Sequence, residues 1–197
     1  MRKLGPLVIA IAALALVPVI SWATIVGTAH DLSGTGGQTQ ICIFCHTPHN
    51  ALSQLVPLWN HATTSASFTL YSNPGSLNAV PGQPAQNSKA CLSCHDGTVA
   101  IDSYGGATGS TFVTGTALLG TDLSNDHPIS FTYDAALATA DGGLVTPASA
   151  SLVATDVPLY GAKLECASCH NVHENAINPF LRKSNAASAL CLTCHPK

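Results

Sequence analysis

The 197-residue chain carries seven Lys and Arg against ten Asp and Glu, a formal net charge of −3, and a charged fraction of only 9%. That fraction lies far below the usual globular value of about 25%. So few basic groups exclude a nucleic-acid partner, which needs a basic patch to meet phosphates, and so little surface charge resists self-association weakly.

The chain opens with the pattern of an export signal. Arg2 and Lys3 precede an uncharged apolar stretch over 4–20, and Ser21-Trp22-Ala23 presents small residues where a signal peptidase reads. The expectation is a signal peptide at 1–23 and a single mature domain at 24–197. An uncleaved anchor is the alternative, and Pro6, Pro18 and the Ala23 site argue against it. No other segment is long and apolar enough to span a bilayer, so the mature chain is expected outside the inner membrane without a membrane span. Cleavage removes Met1, the only methionine, and leaves five basic residues against ten acidic ones.

Every cysteine then falls in a Cys-x-x-Cys-His motif: Cys42, Cys45 and His46; Cys91, Cys94 and His95; Cys166, Cys169 and His170; Cys191, Cys194 and His195. This is the attachment pattern of c-type haem. Two thiols add across the vinyl groups and the next histidine ligates iron. Zinc sites and redox disulfides also use paired cysteines, but neither needs a histidine after every second cysteine, four times over. Four disulfides are permitted in an exported chain and leave the histidines unexplained. The reading is four covalent haem c groups, with His46, His95, His170 and His195 as proximal ligands. No methionine remains as a sixth ligand, so each iron is bis-histidine or open on one face.

Short helical turns are expected around the motifs, at 88–95, 164–173 and 184–195. The Gly/Thr/Ala-rich insert at 97–160 holds two candidate strands, 111–114 and 129–133. Twelve prolines and sixteen glycines make long helices improbable. The fold class expected is a multihaem cytochrome c: mostly irregular coil, short helices at the motifs, a few short strands, and haems as the core. The first and third motifs extend to Cys-x-x-Cys-His-x-x-His, ending at His49 and His173, and the second and fourth do not. The resulting A-B-A-B order suggests two haem pairs.

Five further histidines are available for four distal positions: His30, His49, His61, His127 and His173. His49 and His173 each follow a proximal histidine by three residues, a reach of at most ~11 Å, too short to round the macrocycle. They can serve only a neighbouring haem. Asp126 is placed to orient His127, and Asp31 stands beside His30. His61 has no such neighbour and is the spare.

His30-Asp31-Leu32-Ser33, the segment 42–50 (CxxCHTPHN), Pro57-Leu58-Trp59-Asn60, the segment 91–99 (CLSCHDGTV), Asp126-His127-Pro128-Ile129, the segment 166–173 and the closing CLTCHPK together cover most of the mature chain. They resemble the multihaem cytochromes of metal-reducing bacteria, and in haem count and layout the OmcE-type tetrahaem cytochromes that polymerise into extracellular filaments, or nanowires. The resemblance implies His30, His49, His127 and His173 as distal ligands. It also implies a head-to-tail homopolymer in which a histidine, His30 in this reading, ligates a haem of the next subunit.

The leading expectation is therefore electron conduction between redox partner cytochromes and an external acceptor, at the cell surface or outside it. A monomeric periplasmic tetrahaem shuttle is the alternative. An enzyme that reduces nitrogen or sulfur oxyanions would need an open iron and a basic cluster, and Arg182 is the one mature arginine.

Overall fold

The computed structural model describes residues 25–49, 51, 55–147 and 157–196. The expected signal peptide, 1–23, lies outside them. Regular structure is brief. In chain order it comprises 3-10 turns at Thr35–Gly37 and Ile41–Phe44, strand β1 (Thr69–Leu70), helix α1 (Gln86–His95) and a 3-10 turn at Gly115–Ala117. Strands β2 (Asp122–Leu123) and β3 (Phe131–Thr132) follow, then helix α2 (Ala135–Asp141), strand β4 (Lys163–Leu164), helix α3 (Cys166–Cys169), and 3-10 turns at Ala186–Ser188 and Cys191–Thr193.

The strands form two small sheets. β1 pairs parallel with β2, Leu70 opposite Leu123, and β3 pairs antiparallel with β4, Phe131 opposite Leu164. Each sheet supports a small apolar cluster. Phe68, Leu92 and Leu123 form one; Phe131, Tyr133, Val157 and Leu164 form the other, with Leu190 and Cys194 packed against it. Each cluster therefore abuts a cysteine motif, the first through α1 and the second through the chain end.

The termini of α1 explain its length. Gly97, at φ +76°, turns the chain out of the helix and donates its N–H to Cys94 O at 3.1 Å, closing the last turn. A side chain there would be strained by that φ and would have to push Leu118 Cδ1 aside from 2.6 Å.

Helix α2 was not among the expected elements, though its signals are local. Asp134 caps the N-terminus by accepting from Leu137 N at 2.8 Å, an Ala-rich run follows, and Gly142 ends it at φ +70°. The expected strand at 111–114 is absent as a strand. Asp102 claims that backbone instead, its Oδ1 accepting from Ser110 N at 3.0 Å and Thr111 N at 2.9 Å. The strand expected at 129–133 is shortened to β3 by Ser130, whose φ of +57° breaks extended geometry. The helical turn expected over 164–173 contracts to α3, because Leu164 is paired in β4 and His170 is already extended.

Candidate haem-binding site

The residue before each second cysteine holds its motif in place. Phe44 is buried, and so are Ser93 and Ser168. Ser93 Oγ donates to Lys89 O at 2.7 Å and accepts from Thr64 N at 3.1 Å, tying α1 to the loop before β1. Ser168 Oγ accepts from Glu165 N at 3.0 Å, and Thr193 Oγ1 donates to Ala189 O at 3.1 Å.

Three proximal histidines are oriented in the same manner. Nδ1 of His46 lies 2.8 Å from Pro57 O, that of His95 lies 2.7 Å from Ala117 O, and that of His170 lies 2.9 Å from Pro179 O. A carbonyl only accepts, so each Nδ1 carries the hydrogen and each Nε2 is left bare for a metal. His127 follows the same rule through Pro128 O at 2.9 Å, so its orienting group is that carbonyl rather than the Asp126 carboxylate. Asp31 likewise does not orient His30. It closes its own turn, accepting from Gly27 N and from Ser33 N and Oγ.

The structure then brings histidines together in pairs. His46 and His173 stack with centroids 6.0 Å apart and planes 20° apart. His30 and His95 lie 6.0 Å apart at 57°, and His127 and His195 lie 6.4 Å apart at 67°. Two imidazoles facing across one metal, with bonds of about 2.0 Å and ring centres about 1.1 Å further out, have centroids about 6.2 Å apart. The pairs fit that spacing. Among the described residues no ring contact places His49 against His170.

Burial favours the neutral form of two of the expected distal rings. It lowers His30 to about 4, with His95, His170 and His173 adding to the effect. His173 is lowered by burial, then by His46 and Arg182. A neutral imidazole is the form that ligates iron. His61 is different. Its Nδ1 lies 2.6 Å from Ala62 O and its Nε2 lies 2.9 Å from Ala100 O, with Cys94 Sγ at 3.5 Å, so carbonyls occupy both nitrogens.

Cys42 and Cys191 are exposed, while the other thiols are partly shielded from water. Burial pushes Cys45 up to about 11, Cys94 to about 12 and Cys169 to about 11, and raises Cys194. A thioether is neutral, so burial that penalises a thiolate costs the linked form nothing. Cys91 and Cys166 lie on α1 and α3, which pack together, and Cys166 together with burial holds the Cys91 thiol well above its ordinary value. None of the eight cysteines is paired in a disulfide, and among the described residues no three His, Cys, Asp or Glu side chains converge as a bare-metal site would require.

Residues 160–197 match the family described as the doubled CXXCH motif. The match takes in the third and fourth motifs and indicates covalently bound c-type haem, as in multihaem c-type cytochromes. Such proteins in general transfer electrons rather than catalyse. A search of curated proteins found no match for the chain. Among the described residues no helix is long and apolar enough to cross a membrane.

Proposed function

We propose that this protein carries electrons through four covalently attached c-type haems, each with an imidazole on both faces of its iron. The observation that carries this reading is the trio of histidine pairs at one metal-spanning distance. In it, His46 and His173 hold the iron of the haem on Cys42 and Cys45. His95 and His30 hold the one on Cys91 and Cys94, and His195 and His127 the one on Cys191 and Cys194. His170 takes His49, so that each Cys-x-x-Cys-His-x-x-His segment lends its last histidine to the other.

When bound, such haems supply one-electron chemistry at iron. The chain's own residues supply the rest. Backbone carbonyls fix the proximal rings and burial favours the neutral form of His30 and His173, and two imidazoles per iron would leave no place there for a substrate.

The same reading extends to a head-to-tail polymer outside the cell, passing electrons from partner cytochromes to an external acceptor. The low charge of the chain and the exposed Phe112, Leu118 and Leu119 of the insert support it. A monomeric periplasmic shuttle is favoured by a different observation. His30 rests against His95 of its own chain, so this ligand needs no neighbour.

Intact mass and low-temperature EPR of the purified holoprotein test the proposal. Four haem additions and only low-spin signals are expected; fewer additions, or a high-spin haem in the assembled protein, sink it. Imaging separates the two forms, since uniform small monomers at high concentration exclude the polymer.

A further inference from the structure

Glu165 is 1% exposed, and among the described residues no cation hydrogen-bonds to its carboxyl. One carboxylate oxygen, Oε2, accepts from Ser88 Oγ and, at 2.8 Å, from Ser130 Oγ. The other, Oε1, is buried and meets no donor among the described residues. A buried carboxylate without a cation costs several kcal/mol on the usual scale, and a glutamine of the same shape would satisfy the two serines without that cost. Retaining the charge calls for a reason.

Its position supplies one. Glu165 is the N-cap of α3, one residue before Cys166. Ser88, its partner on α1, lies one helical turn before Cys91 and also accepts from Cys166 N at 2.9 Å. The carboxylate is thus wedged at the α1–α3 junction, within one turn of the first cysteine of the second motif and of the third. Those two cysteines lie on helices that pack together.

We propose that Glu165 is a positioning residue for the redox level of the haems on the second and third motifs, its buried negative charge favouring their oxidised form. This rests on the proposed haem attachment. Oxidation adds positive charge at iron, and a fixed anion in a low-dielectric junction stabilises that state more than the reduced one. The serine donors partly offset the anion, so removing a donor strengthens its effect.

The test is spectroelectrochemical titration of the holoprotein and of two variants, with intact mass to count haems. Glu165→Gln is expected to keep four haems and to raise the reduced-to-oxidised ratio of some haems at least tenfold at fixed ambient potential, equivalent to about 59 mV for one electron. Ser130→Ala leaves the charge with one donor fewer, and is expected to shift the same haems the opposite way. A packing role would not produce opposite signs. Unchanged titration curves, shifts of the same sign, or loss of haems from both variants overturns the inference. Fewer than four haems in the wild-type protein would instead count against the proposed attachment itself.

Discussion

His46 and His173 face each other in near-parallel planes with centroids 6.0 Å apart, although one follows the first cysteine pair and the other lies just beyond the third. Neither can be rotated toward the other by local sequence. The long-range contact exists because His46 is pinned to Pro57 O and the segment after α3 folds back along it, with Arg182 N donating to Cys169 O at 2.8 Å.

Replacing His173 with Ala is therefore expected to leave all four haems attached, since no thiol is touched, while converting one low-spin haem to high-spin. EPR of the variant reads this directly. A fully low-spin spectrum would show that His173 is not an axial ligand.

His61→Ala should do the reverse. The buried ring lies between Ala62 O and Ala100 O, and its loss takes away the N–H that one of them accepts. A cost of about 1–3 kcal/mol is expected, measured by thermal or denaturant unfolding, with the low-spin spectrum unchanged. A new high-spin signal would give His61 an iron.

Leu92 is 1% exposed between Phe68 and Leu123, on the helix that carries Cys91 and Cys94. Truncation to Ala is expected to cost about 2–5 kcal/mol. Because the cavity lies under the second motif, haem occupancy at that motif should fall before occupancy elsewhere, as peptide mapping by mass would show.

Asp102 gives a pH dependence. Backbone donation from Thr111, then from Ser110, with Thr111 Oγ1 assisting, lowers its carboxyl below the usual 3.8. A carboxyl lowered on folding adds stability above its unfolded value and loses it as pH falls through the folded one. The wild type should thus lose this contribution only below about pH 4. Asp102→Asn should remove it at neutral pH, a loss of about 1 kcal/mol or less given solvent screening. Equal unfolding midpoints for the two proteins at pH 7 would contradict this.

The cysteine motifs and the motif histidines were readable because haem attachment demands adjacent residues: two thiols three positions apart and an imidazole next to the second. The turn at Gly142 and the cap at Asp134 were local signals of the same kind, and could have announced α2. The shortening of β3 was not legible, because it depends on Ser130 taking a positive φ while its hydroxyl reaches Glu165.

Amino-acid order alone determined which residues could carry haem, and that His49 and His173 lie too close to the histidine of their own motif to reach round a macrocycle. Only the tertiary structure decided which histidine faces which. It set His30 against His95 and His127 against His195, closed His61 off between two carbonyls, and buried the Glu165 charge between α1 and α3. The physical reason is that the pairing of two imidazoles is a contact in space. Its partners are chosen by where the backbone carbonyls and the two small apolar clusters hold the chain, not by their separation along it.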